Sequence, residues 1–173
     1  MDRERLTEDV KLHEGHSAKV YLDTVGVPTI GYGRNLKAVP LSADEVRAIV
    51  GDKQAETPEQ LAAQLVLQLF YGIPLPAAEL MLEHDLDRAA RAARNLFPSF
   101  ESLDAVRAEA LVNMALNLGQ GRLAKFVKLR AAIAMKDWPE AKRQALDSRW
   151  AIQVGNRATT LADRLERGQD ALA

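Results

Sequence analysis

Between Glu14 and Asn35 the chain reads EGHSAKVYLDTVGVPTIGYGRN, and no other stretch restricts the fold as strongly. Lys19 to Leu22 and Val27 to Tyr32 carry β-branched and aromatic residues, and Asp23-Thr24-Val25-Gly26 between them is a turn sequence. Together they predict a β-hairpin. Side chains alternate along a strand, so Thr29, Gly31 and Gly33 are expected on one face. Glycines inside a strand mark close approach of a ligand or another backbone. The stretch therefore predicts an open, glycine-floored surface beside Thr29, with Glu14 at its start and Asp23 on the turn.

The rest of the chain reads as helices. Aromatics are only 5% of residues, so alanine and leucine must fill the core, which favours helix. Arg3 to His13 predicts a first helix, with Leu6 and Val10 at i, i+4 and Gly15 as its stop. Ser42-Ala-Asp-Glu45 and Thr57-Pro-Glu-Gln60 are capping boxes that open two more. A long helix is expected from Pro76 to Leu96, stopped by Pro98. Leu103 to Leu118, apolar nearly all round, predicts a buried central helix ended by Gly119-Gln-Gly121. Short helices follow, with Ser148 and Asn156 as caps. The class is α+β and mostly helical, in one domain with a small β lobe near the N-terminus.

Composition removes several classes of function. Without cysteine there is no disulfide and no zinc–thiolate site. The start, MDRERLTEDV, lacks the apolar core of a signal peptide, and Leu61 to Phe70, the most span-like run, is interrupted by Gln64 and Gln68. The expectation is a soluble protein that begins in the cytoplasm. Charge is uneven: from Arg122 onward there are 11 Lys+Arg against 6 Asp+Glu, a net of +5, which leaves −6 for the remainder of a chain whose total is −1. A basic C-terminal part suits an anionic polymer, or is simply a set of solvated helix faces. No basic run is interleaved with aromatics, so nucleic acid is not an expected partner.

Glu14 sits where a carboxylate meets the negative end of a helix dipole, which favours the protonated form a general acid needs. Taken alone, Glu14 is more often a solvated residue at a helix end, Asp23 a turn former and Thr29 a β-former. Taken together, two carboxyl groups and a hydroxyl match glycoside hydrolysis, in which one acid protonates the leaving oxygen and the other serves the water or the sugar cation.

The pattern E-x8-D-x5-T followed by I-G-Y-G resembles the phage-type lysozymes, glycoside hydrolase family 24. LDRAARAARN, SLDAVRAEALVNMALNLGQG, DWPEA, SRW and Gly155-Asn156-Arg157-Ala158 extend the likeness over most of the chain in the same order. The resemblance implies a lysozyme-like fold in one domain over 1–173. Its smaller lobe spans about 15–75, a connecting helix 76–98 and the helical lobe 99–173, with the 1–14 helix packed on the latter and the active-site cleft between the lobes. It implies an endolysin-type muramidase that cleaves the β-1,4 bond between N-acetylmuramic acid and N-acetylglucosamine in peptidoglycan, with inversion. Glu14 is then the general acid, Asp23 the group that activates water or stabilises the cation, and Thr29 the holder of the water. No metal and no organic cofactor is implied. The partner is the glycan strand, met by a monomer that reaches the wall through a holin-type lesion.

The resemblance also gives Arg157 the part of tuning the acid, and Asn35, Leu116, Asn117, Gln144 and Gln153 places along the glycan. Arg157, in the first turn of the last helix, also reads as a surface arginine. Arg34 stands where family members can carry histidine, and is expected to form a lobe-bridging ion pair with Asp85. The stretch from about Ser42 to Glu56 reads as helix additional to the family's compact form. His13, His16 and His84 lack metal-ligand spacing and read as ordinary surface or half-buried histidines. The rival readings are a lytic transglycosylase, a non-catalytic peptidoglycan-binding protein on the same fold, and a helical interaction module.

Overall fold

A computed structural model describes residues 1–51 and 57–169. In chain order it has α1 (Arg3–Glu14), β1 (Ser17–Leu22), β2 (Pro28–Gly31), β3 (Arg34–Asn35), α2 (Ala43–Val50), α3 (Pro58–Tyr71) and α4 (Leu75–Leu96). A 3₁₀ turn (Phe100–Ser102) leads to α5 (Ala105–Leu123), α6 (Val127–Ala134), α7 (Trp138–Leu146), α8 (Arg149–Val154) and α9 (Asn156–Arg167). The fold is therefore mostly helical with one small antiparallel sheet, ordered β1-β2-β3.

Contacts divide the chain into two compact units: Asp9–Asp85, and Met1–Glu8 with Leu86–Ala173. In the first, Ile30 of the sheet, Ile49 and Val50 of α2, and Ala77, Ala78 and Met81 of α4 form one buried cluster. Leu61, Leu65 and Leu69 of α3 pack on its edge. The β1 strand starts two residues earlier than expected and carries a bulge between Ser17 and Tyr21. The end of α1 is tied to α4 by Lys11, whose Nζ lies 2.9 Å from Glu79 Oε1.

The β2 strand is shorter than the sequence suggests, because Gly31 takes φ +64° and ends the pleat. Gly33, at φ +80°, lies in the turn to β3, a strand not expected from the sequence. Strand alternation therefore does not carry from Thr29 to Gly33, and the three residues do not share a strand face.

In the other unit, α5 is the apolar centre: Ala110, Leu111, Val112 and Met114 are buried, as are Leu129, Ile133, Trp150, Leu161 and Leu165. Asp104 caps α5 by accepting from the Arg107 N–H at 3.1 Å. Arg107 in turn lies 4.1 Å over the Trp138 ring and donates to the Leu165 and Glu166 carbonyls near the end of α9. Arg5 makes two bonds to the buried carboxylate of Glu109, which fixes the start of α1 in this unit. Gly119 interrupts α5 at φ 72°, ψ 158°, and the helix then resumes to Leu123 instead of ending at Leu118. Asn156 is the first residue of α9 and not its cap; Gly155, at φ +57°, precedes it. Ser148 caps α8 as expected, accepting from the Ala151 N–H.

Candidate active site

Glu14 closes α1, and Gly15 at φ +66° turns the chain into β1. The carboxylate is half-buried and meets the β2–β3 turn: a Cβ built on Gly33 would lie 3.1 Å from Glu14 Oε2. Any side chain there would push on the carboxylate and would also be strained at that φ. The glycine predicted as floor beside Thr29 is in fact the wall against Glu14.

Asp23 heads the β1–β2 turn. Its Oδ1 accepts from the Val25 N–H at 2.9 Å and the Val27 N–H at 2.8 Å, an arrangement that fixes the carboxylate and leaves Oδ2 for a substrate or water. Thr29 lies in the central strand, flanked by Tyr21 on β1 and Asn35 on β3, and is 4% exposed. Its hydroxyl donates to the Val27 carbonyl at 3.0 Å, so toward anything else it is an acceptor. Asn35 is half-buried, and its Oδ1 accepts from the Ala38 N–H. Its side-chain NH2 is the part left for recognition.

Arg34 is held by more than Asp85. Its Nε donates to Asp85 Oδ2 at 2.6 Å, its Nη atoms to both oxygens of Glu45 at 2.9 and 3.2 Å, and Nη2 also to the Met81 carbonyl. The pair with Asp85 forms as expected, but inside one compact unit and not as a bridge between lobes. Glu45 was legible only as a capping-box residue. It does accept from the Ser42 N–H, yet its carboxylate is also the main anion facing Arg34. His84 joins the cluster through Glu45 Oε1 at 2.9 Å, with Asp44 at 3.5 Å. Burial by itself would raise the Glu45 carboxyl; hydrogen bonds from Arg34, the Ser42 N–H and His84 outweigh it and hold the group at about 2. Of the predicted additional helix, α2 covers Ala43–Val50, and positions 52–56 lie outside the described residues.

In the other unit Arg157 is buried, which overturns its reading as a surface arginine. Its Nε and Nη2 donate to Asn113 Oδ1 at 3.0 and 2.7 Å. Gln144 and Gln153 meet in one concavity of about 820 Å³ with Leu118, Phe126 and Trp150. Phe126 and Trp150 form an edge-on pair there. Leu116 and Asn117 are half-buried but do not line it; Asn117 instead accepts from Trp150 Nε1 at 2.8 Å and holds the indole in place. Arg122, Lys125, Lys128 and Arg149 surround the same concavity. Sequence reasoning did not single them out, although the excess of positive charge after Arg122 was their signal. Among the described residues no cluster of three or more His, Asp or Glu is placed to hold a metal ion.

The model of the phage lysozyme family matches residues 11–167, which includes every residue discussed above as a catalytic or binding candidate. The chain is 29% identical over 160 residues to the pre-baseplate central spike protein Gp5 of Enterobacteria phage T4, covering 89% of this chain and 26% of that protein. It thus spans about a quarter of that relative. Against two proteins of Dictyostelium discoideum, probable T4-type lysozymes 2 and 1, it is 26% and 25% identical, covering 94% and 92% of each chain compared. With a match that begins just before Glu14 and runs through Arg157 to the end of α9, the chain belongs to the phage lysozyme family.

Proposed function

We propose that this protein is a muramidase that hydrolyses the β-1,4 bond between N-acetylmuramic acid and N-acetylglucosamine in peptidoglycan, with inversion, and that it serves host-cell lysis as an endolysin. The observation that supports the reading is the packing of the β2–β3 turn against the Glu14 carboxylate, favoured by glycine at position 33 through its φ of +80° and the tight 3.1 Å approach a Cβ would make. Glu14 donates its proton to the glycosidic oxygen as the bond to the anomeric carbon breaks. Asp23, anchored through Oδ1, presents Oδ2 to the attacking water and takes its proton. That water donates to the Thr29 hydroxyl, whose own hydrogen is committed to the Val27 carbonyl. Attack from the face opposite the leaving group inverts the anomeric centre.

Asn35 on β3, and Gln144 and Gln153 in their concavity, offer amides to the sugars. Leu116 and Asn117 act from behind, Asn117 through Trp150. Arg157 tunes the proton affinity of the acid. The enzyme needs no metal. It works as a monomer and stays in the cytoplasm until a membrane lesion admits it to the wall.

The test is digestion of purified peptidoglycan by the wild type and by Glu14→Gln, with mass spectra of the soluble fragments. Hydrated muramic acid ends from the wild type, falling by roughly 10²–10⁴-fold in the variant, are expected. Anhydro ends would make it a lytic transglycosylase. No release from several wall types would make it a binding protein and withdraw the roles given to Glu14, Asp23 and Thr29. Proton NMR of the first product formed reads the anomer.

A further inference from the structure

The α3 helix is unusual within the molecule. From Gln60 to Ala78 the chain contains no Asp, Glu, Lys, Arg or His. None of the residues of α3 is fully buried. Leu61, Leu65 and Leu69 face the core cluster, while Val66, Leu67, Phe70 and Tyr71 stand on the other side at 63%, 54%, 71% and 69% exposure. These four follow an i, i+1, i+4, i+5 pattern, which is one continuous helix face. Ala62 and Ala63, also exposed, extend it toward the N-terminus, and Leu75 extends it past the break after Tyr71. Isolated exposed apolar side chains need no explanation, but a contiguous face of this kind does.

Beside this face runs a concavity of about 660 Å³ lined by Val20, Leu36, Val66, Leu69, Phe70 and Lys19. Five of those side chains are apolar, and the one charge is positive. An apolar trough with a single ammonium group at its wall complements an amphiphile with an anionic head. Phe70 and Tyr71, in edge-to-face contact at 5.1 Å, lie at the end of the helix. Tyr71, a ring with a polar tip, favours the boundary between headgroups and acyl chains, and Phe70 adds apolar area beside it.

We propose that the exposed face of α3 seats on a bilayer surface containing anionic lipid, with an acyl chain in the trough and the headgroup phosphate at Lys19. No single described helix is long and apolar enough to cross a membrane, and the proposal does not need one: the helix lies along the surface. A second copy of the chain is the less suitable occupant. The four large side chains offer roughly 500 Å² of apolar surface, on side-chain areas of 150–250 Å² for an aromatic ring, and a stable dimer needs about 800 Å² from each partner.

The experiment is co-sedimentation of the full chain with vesicles of phosphatidylcholine alone and of phosphatidylcholine with about a third phosphatidylglycerol. The wild type is expected to pellet with the anionic vesicles and to remain in solution with the neutral ones. Phe70→Asp lowers the bound fraction at least roughly tenfold, and Lys19→Glu removes the preference for anionic lipid. Met135→Asp, at an apolar position exposed elsewhere, leaves binding unchanged. Leu67→Asn stands in if Phe70→Asp loses its thermal transition. Three results each overturn the proposal: a wild type that pellets with neither vesicle, binding that the α3 substitutions leave intact, or a wild-type dimer in light scattering that Phe70→Asp turns into a monomer.

Discussion

Among the described residues two arginines are buried, Arg34 and Arg157, and their surroundings differ. Arg34 is surrounded by opposite charge: the carboxylates of Glu45 and Asp85 take three of its hydrogen bonds, and the Met81 carbonyl takes another. Arg157 donates twice to one neutral amide oxygen, that of Asn113. The first arrangement suits a cation whose work is to join β3, α2 and α4. The second fixes a guanidinium at the start of α9 against the buried α5. At the first site the cation draws Glu45 down to about 2.

The contrast can be broken at its strongest point by Arg34→Met. Glu45 is then a buried carboxylate without its guanidinium, and urea unfolding should show a loss of about 3–5 kcal/mol. An unchanged midpoint would mean that the network merely fills space. Acid titration sharpens the same point. The folded-state value for Glu45, about 2, lies below its ordinary 4.5, so its contribution is complete above pH 4.5 and is lost as pH falls from there through 2. The loss over that window is on the order of 3 kcal/mol, from about 1.4 kcal/mol for each unit of displacement. Glu45→Gln should flatten that part of the stability–pH curve, and a curve of unaltered slope would remove Glu45 from the explanation.

Arg157→Gln should behave in the opposite sense. Losing two charge-assisted bonds costs about 1.5–3 kcal/mol, while kcat on peptidoglycan falls about tenfold with a displaced alkaline limb in the pH–rate profile. A stability loss with kcat and the pH profile unmoved would make Arg157 as structural as Arg34 and erase the contrast. The smallest effect is expected at the surface. Arg94 and Glu101 form a 2.8 Å pair between two exposed side chains, and Glu101→Gln should shift stability by less than about 1 kcal/mol. A larger shift would show that geometry alone, without burial, decides what an ion pair is worth here.

Local chemistry made much of this readable in advance. The hairpin, the Ser42 capping box, the long helix ended before Pro98 and the apolar α5 follow from propensity, caps and periodicity, all of which act over a few residues. Asp23 and Gly15 were legible for the same reason. What escaped was non-local or depended on backbone sign. A glycine in a strand-like run does not announce φ +64°, so β2 was drawn too long and β3 was missed. Gly119 signalled a break in α5, but not that the helix would resume after it. Glu45 and His84 looked like a cap and a bystander, because Glu45 meets Arg34 on another element and His84 meets Glu45 from 39 residues away. The cations around Gln144 and Gln153 come from α5, α6, α8 and the turn before α6, and only folding gathers them. At the candidate site, Glu14, Asp23 and Thr29 were legible as residue types. The packing of Gly33 on Glu14 and the use of Asn117 by Trp150 were not.

Glu45 performs two tasks with one carboxylate, and this ties together events on different scales of sequence. Its bond to the Ser42 N–H belongs to the first turn of α2, while its bonds to Arg34 belong to closure of the unit. Helix ends ordinarily fray on their own, at little energetic cost and without consequence for the rest of the molecule. Here the first turn of α2 cannot open without also releasing a buried guanidinium. Amide hydrogen exchange at Ser42 and Glu45, in that turn, should therefore follow the slow opening of the whole unit. The start of α2 belongs to the cooperative core although, by position, it is only the beginning of a short helix.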